Sequence, residues 1–300
     1  MRFLAIGECM AELAPAAAQG DFRLGFAGDT FNTAWYLARL RADFDVSFLT
    51  AVGDDMISQQ MREAIVAGGV SDSYVQVVPD RTVGLYLISL GNGERSFSYW
   101  RGQSAARYLA KDPAALARAM DASDVIYFSG ITLAILDPAS RGNLLYALTQ
   151  ARAGGKTIVF DPNLRPRLWS DTEKMKSVIM YGAAVSDISL PSFEDEASWF
   201  NDTDPAATAD RYAAAGATTV IVKNGGDPVH YLQGDTRGEQ AVPALSSIVD
   251  TTAAGDSFNA GILSGLLSDL PLTDTIAQAC LVAGAVVQGK GALVPIDVAT

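Results

Sequence analysis

Histidine is nearly absent from this chain of 300 residues; His230 stands alone. A single histidine argues against a His-based catalytic triad and a His-rich metal centre. Cysteine is almost as scarce. Cys9 and Cys280 lie far apart in sequence, which fits a reduced compartment and core packing rather than a disulfide framework. Basic residues are few: 22 Lys and Arg against 34 Asp and Glu give a net charge of −12. Nucleic acid and anionic membrane both demand a basic surface, so neither is expected as a partner. No apolar run reaches the roughly 18 residues of a membrane-spanning helix. The N-terminus lacks a basic-then-apolar leader, so a cytoplasmic protein is expected. Two phosphate-binding fingerprints are missing as well. No Gly-x-x-x-x-Gly-Lys-Ser/Thr occurs, which excludes a P-loop enzyme, and Gly7-Glu8-Cys9 does not develop into Gly-x-Gly-x-x-Gly, which weakens a dehydrogenase reading.

What is present suffices for a substantial core, since 49% of the residues are hydrophobic. The apolar run 3–7 reads as a central strand. The run 125–131, a helix from Pro138 to Ala153 and the run 156–163 form a strand–helix–strand unit, which implies parallel pairing. Polar residues at the carboxyl ends of parallel strands are where such sheets bind ligands. A second predicted helix, Met56 to Ala67, follows the turn Gly53-Asp54. Residues 82–90 and 95–101 alternate around Gly91-Asn92-Gly93-Glu94 and read as a hairpin. Neither arm is apolar enough for a buried central strand. The expected fold is therefore α/β: one chain, 1–300, with three layers around a mostly parallel sheet. A small β-sheet lid would be formed by about 10–27 and 81–103.

The densest chemical signal is Asp250-Thr251-Thr252-Ala253-Ala254-Gly255-Asp256-Ser257-Phe258. Small residues that open an apolar helix leave N–H groups pointing outward, and with the helix dipole these make an anion site. Asp256 at that opening either caps the helix or takes a proton from a nucleophile held near the anion. Gly28-Asp29-Thr30-Phe31-Asn32 opens another helix, with Asp29 and Asn32 three apart on one face. That is an N-cap with an exposed Asn, or a polar pair that grips hydroxyls. Asp161-Pro162-Asn163-Leu164-Arg165 lies at a strand's carboxyl end, stiffened by proline. Lys223-Asn224-Gly225-Gly226 ends another strand, either as a surface turn or as a nucleotide loop.

Together these blocks resemble the ribokinase-like (PfkB) carbohydrate kinases over essentially the whole chain, with motifs near residues 28, 99, 161, 223 and 250 in that family's order. The resemblance implies Asp256 as the catalytic base and the N–H groups of Ala253, Ala254 and Gly255 as the anion hole. The usual signature has Gly where Ala253 stands. That exchange keeps the N–H, but position 253 is then required to avoid a backbone angle that suits only glycine. Gly28, Asp29 and Asn32 would bind sugar hydroxyls, with Ala27 replacing the first glycine of the family's pair. Tyr99-Trp100-Arg101 is similar to the 2-keto-3-deoxygluconate kinase branch, which implies that Tyr86, Tyr99 and Arg101 hold a sugar acid. Asn163 and Arg165 would lie near the transferred phosphate, Arg165 also near the substrate. ATP and Mg2+ are the implied cofactors. Ser192, Lys223, Gly225 and Gly226 would border the nucleotide. The family's Asn-x-x-Glu is matched only at Glu196, because Phe193 occupies the Asn position. Glu196 is therefore expected to reach the metal indirectly, through water.

The reaction so implied is ATP-dependent phosphorylation of the terminal hydroxyl of 2-keto-3-deoxy-D-gluconate. Two arginines in the expected pocket, Arg101 and Arg165, favour a carboxylate on the substrate. A neutral-sugar kinase of fructose or ribose type, or a nucleoside kinase, is the alternative. A non-catalytic sugar-acid binder is the other, and Asp256 speaks against it. The expected partners are the small molecules themselves, with a homo-oligomer through the lid edge as a further possibility.

Overall fold

In a computed structural model, residues 1–18, 20–91 and 94–296 are described. Strand Arg2–Ile6 fixes the architecture. Phe3 and Ala5 point into one apolar cluster and Leu4 and Ile6 into another, all at most 1% exposed. A strand buried on both faces needs helices on both faces. One layer holds Asp29–Leu40, Met56–Ala67, Ala254–Leu266 and Leu272–Val286; the other holds Pro138–Ala153, Thr172–Ala184 and Pro205–Ala215.

Among the described residues the large sheet has nine strands. Their order is Thr236–Gln240, Val229–Gln233, Thr219–Val222, Ile188–Ser189, Thr157–Asp161, Val125–Ser129, Arg2–Ile6, Asp45–Val52 and Ser71–Val77. The first two pairings in that order are antiparallel and the remaining six are parallel. The fold is thus the expected three-layer α/β type. Two helices run between their expected ends because their caps are explicit in the sequence. Asp55 accepts from the Ser58 amide before Met56–Ala67, and Asp137 accepts from the Ala139 and Ser140 amides while Pro138 opens the next helix. No helix among the described residues is long and apolar enough to cross a membrane.

Among the described residues the second sheet has four strands in the order Phe22–Ala27, Met10–Pro15, Gly84–Gly91 and Glu94–Trp100. Its central pair is parallel and its outer pairs antiparallel. The expected turn at Asn92 and Gly93 lies outside the described residues. The register puts Met10, Glu12, Tyr86, Ile88, Phe97 and Tyr99 on one face. Leu13, Phe22, Leu24, Leu85, Leu87 and Trp100 share the other.

Candidate active site

The site forms where the parallel strands end. Asp161 closes Thr157–Asp161, and Lys223 follows Thr219–Val222. The helices Asp29–Leu40 and Ala254–Leu266 pack together and begin at this edge. Their first turns bring Asn32 and Asp256 into contact: Asn32 Nδ2 donates to Asp256 Oδ2 at 2.8 Å. Asn32 in turn accepts the Gly28 N–H at 3.2 Å, so its amide is held from both ends. Asp256 does not cap its helix, because Ala253 is the N-cap and no side chain bonds there. The capping reading therefore falls. Burial raises the Asp256 carboxyl to about 7, aided by the neighbouring charges of Asp29 and Asp161 and opposed by Asn32 and Lys223.

The first helix also departs from the ordinary N-cap. Gly28 is the cap, with no side-chain bond, and Asn32 is buried rather than exposed. Asp29 instead accepts from Asn163 Nδ2 at 2.9 Å. Asn163 reaches it from a left-handed turn, φ 35°, tied by its own amide to Asp161 Oδ1. Burial pushes the Asp29 carboxyl up, against hydrogen bonds from Ser129, Thr30 and Asn163.

Beneath these groups lies a network that sequence reasoning did not assign. Asp161 Oδ2 accepts from Asn259 Nδ2 at 2.7 Å and from Lys223 Nζ at 3.2 Å. Lys223 Nζ also donates to Asn259 Oδ1 at 3.1 Å. Asn259 Nδ2 reaches the Tyr127 hydroxyl at 3.1 Å, and Thr33 links that hydroxyl to the backbone oxygen of Asp256. Asn259 lies one helical turn beyond Asp256, so the three-residue spacing was a usable signal. Lys223 is not held out in a surface turn. A Cβ placed on Gly255 would lie 3.8 Å from its ammonium, so the positive charge sits beside the helix opening. Gly225 (φ 60°) and Gly226 form an exposed turn beyond it.

The helix opening overturns one requirement. Ala253 does adopt the left-handed conformation, φ 59°, ψ 16°. It is tolerated because the turn from Thr251 and the helix from Ala254 fix the residue from both sides. Ala254 is also not a free donor: its N–H closes that turn onto the Thr251 oxygen at 3.2 Å. Ser257 makes the first full helical bond, to the Ala253 oxygen. The amides of Ala253, Gly255 and Asp256 are therefore the helix-opening donors without an intrahelical acceptor.

Glu196 is corrected more sharply. It is fully buried and accepts from Arg211 at 2.8 Å and from the Tyr212 hydroxyl at 2.9 Å. Burial raises it to about 7 although Arg211 opposes this. The helix Phe193–Phe200 turns this side chain inward, away from the strand ends. Its neighbour Asp195 is the acid on the site side, 3.7 Å from Arg165 and within the fields of Asp161 and Lys223. Arg165 itself is exposed at the rim and donates to the Leu164 oxygen. Ser192 bridges to Lys223 through the backbone.

On the smaller sheet, the Tyr86 hydroxyl donates to the buried Glu12, and burial plus that charge hold the phenol protonated. Tyr99 lies 5.9 Å from Tyr86 between ring centres and is half exposed. Arg101 is not a free cation: it pairs with the buried Glu8. Both acids stand in the otherwise apolar stretch 8–13, which was the signal for them.

Among the described residues, no three carboxylate, His or Cys side chains converge on a metal position. Asp195, the acid on the site side, suits a hydrated Mg2+ held through water rather than a protein-enclosed ion.

The pfkB family carbohydrate kinase profile matches residues 2–299. The chain is 39% identical to the 2-dehydro-3-deoxygluconokinase of Dickeya dadantii (strain 3937), covering 97% of this chain and 96% of that protein. A PfkB protein from Polaromonas sp. JS666 superposes with a TM-score of 0.84 at 27% identity, covering 96% of this chain and 95% of that one. Aminoimidazole riboside kinase from Salmonella enterica, complexed with aminoimidazole riboside and an ATP analog, superposes with a TM-score of 0.83 at 23% identity, covering 98% and 95%.

Proposed function

Because the chain belongs to the pfkB family of carbohydrate kinases, we propose that it transfers the γ-phosphate of ATP to the terminal hydroxyl of 2-keto-3-deoxy-D-gluconate. One observation carries the chemistry: a carboxylate raised to about 7 stands at an uncapped helix opening and is aimed by Asn32. A base with a pKa near the working pH is the efficient one. Asp256 accepts the proton of the substrate hydroxyl as its oxygen bonds to the γ-phosphorus. The bond to the bridging oxygen breaks and ADP departs. The helix-opening N–H groups and Lys223 hold the charge on the transferred phosphate. Asn259 and Asp161 keep Lys223 at that point. Mg2+ supplies charge neutralisation on the phosphates when bound. Asp195, with Ser192 nearby, would hold its water shell. Gly225 and Gly226 would let the nucleotide approach the backbone.

Gly28, Asp29 and Asn32 would bind the sugar from the main body. Tyr86, Tyr99 and Arg101 would cover it from the smaller sheet, acting as a lid that excludes water. The substrate class rests on the 39% identity to a 2-dehydro-3-deoxygluconokinase over 97% of this chain. The buried free cysteines fit a cytoplasmic setting. The lid's outward face, with Phe22, Leu24 and Trp100 exposed, would join a second copy.

A second reading has its own observation. Arg101 and Arg165 are already paired, with Glu8 and Asp195, which suits a neutral sugar. Incubation with Mg-ATP and a panel of sugar acids, fructose, ribose and nucleosides, scored by ADP release, separates the two. Turnover of the sugar acid well above the rest is expected. Preference for a neutral sugar would refute the substrate assignment. Tight sugar-acid binding with no ADP release would refute the kinase.

A further inference from the structure

We propose that Glu8 is a positioning residue. It holds the Arg101 guanidinium at the root of the lid so that its Nε–H is left for an oxygen of the substrate's keto-acid end. The inference rests on the sugar-acid reading above and deepens it.

The chain passes four times between the large sheet and the lid, and all four passages meet at Glu8. Glu8 itself lies on the first, just after strand Arg2–Ile6. Gly28 lies on the second, between strand Phe22–Ala27 and helix Asp29–Leu40. A Cβ there would stand 2.1 Å from the Glu8 backbone oxygen. Gly84 lies on the third, where a Cβ would stand 2.9 Å from Glu8 Oε1 and 3.2 Å from Arg101 Cβ. Arg101 and Ser104 lie on the fourth, just after strand Glu94–Trp100. Gly84 thus stands where the Glu8–Arg101 pair fills the space, and Gly28 where the Glu8 backbone does.

The pair is fully enclosed on the Glu8 side. Glu8 is 1% exposed. One oxygen takes Arg101 and the other takes the Ser104 hydroxyl at 2.6 Å. Arg101 is not saturated in return. Its Nε is buried and has no hydrogen-bond partner among the described residues. A buried donor left unpaired is unfavourable unless a ligand completes it. A buried ion pair is weak evidence of stabilisation; what it supplies here is direction. Arginine is a long, rotamer-rich side chain, and Glu8 removes that freedom before substrate arrives. Because Glu8 also cancels the charge of Arg101, discrimination depends on where the N–H points rather than on attraction at a distance. Tyr99 stands on the lid strand itself, while Arg101 lies beyond the strand's end against Glu8.

The test uses the whole protein and steady-state kinetics with 2-keto-3-deoxy-D-gluconate and ATP. Glu8→Gln keeps the size and an acceptor for Ser104 but removes the charge that anchors Arg101. The sugar-acid KM is expected to rise about tenfold or more, with the ATP KM within about twofold of wild type. Glu8→Asp keeps the charge but withdraws it by one methylene, and an intermediate rise is expected. In an Arg101→Met background, adding Glu8→Gln is expected to cause no further loss of kcat/KM and to recover melting temperature, since it removes an unpaired buried charge. A purely structural Glu8 would lower thermal stability and move both KM values together. An unchanged sugar-acid KM in Glu8→Gln, or an equal loss in both backgrounds, would overturn the proposal. If the wild type turns over no sugar acid, the function assigned above fails and this inference falls with it. Sugar-acid turnover that Glu8→Gln leaves untouched sinks this inference alone.

Discussion

Asp256 and its surroundings set the pH response. The carboxyl accepts a proton only when ionised, and burial with the neighbouring Asp29 and Asp161 charges raises it to about 7. Activity is therefore expected to fall as pH drops through about 7 and to level off above it. Asp29 is the largest charge contribution to that shift. Asp29→Asn should move the acidic limb of a kcat/KM profile to lower pH, whatever it does to KM. A limb that stays in place would show that Asp29 does not tune the base. The same shift has a thermodynamic sign. The folded state holds a proton that the unfolded chain has already released, so this group's contribution to stability declines as pH rises from the ordinary carboxylate range to about 7. Little of this was legible in the sequence. The Asp256 motif was visible, but Asn259, Tyr127 and Lys223 meet only through tertiary packing, from separate elements.

Two elements carry consequences of their own. The helix Ala254–Leu266 opens on Ala253 in a left-handed conformation, which costs an alanine roughly 1–2 kcal/mol. Glycine relieves that strain but loses more chain entropy on folding, by about 0.5–1 kcal/mol. Ala253→Gly is thus expected to stabilise by up to about 1.5 kcal/mol in urea unfolding; destabilisation would mean the strain is absent. The helix Phe193–Phe200 directs Glu196 into the protein and Asp195 toward Arg165. Asp195→Asn should raise the Mg2+ concentration needed for half-maximal rate several-fold, while Glu196→Gln should leave it unchanged. The reverse pattern would restore Glu196 to the metal. Helices with explicit caps, such as Asp137-Pro138, could be read to the residue. The orientation of a short acidic helix could not, because Glu194, Asp195 and Glu196 offer three equivalent carboxylates. Only packing against Arg211 and Tyr212 decides which one turns inward. Glu8 and Glu12 escaped for a related reason: a strand pattern shows which face a residue shares, but not which partner waits there.

At the scale of the molecule, the order of blocks along the chain carried the fold. The strand–helix–strand spacing gave a parallel sheet, and the alternating hairpin gave a second, smaller one. Association was not legible, because both faces of the smaller sheet carry apolar residues. Phe22 and Trp100 are 47% and 59% exposed on the outward face. If that face joins two copies, Trp100→Glu should convert a dimer to a monomer in sedimentation velocity. A wild-type monomer would remove the proposal. Asp256 within the fields of Asp29, Asp161 and Lys223, at the edge where the strands end, is the feature on which the kinase reading turns. Its most direct test is Asp256→Asn, measured by single-turnover phosphoryl transfer alongside calorimetric binding of ATP and sugar acid. The rate should drop by about 10²–10⁴-fold while both affinities stay close to wild type; transfer at a near-normal rate would show that another group takes the proton.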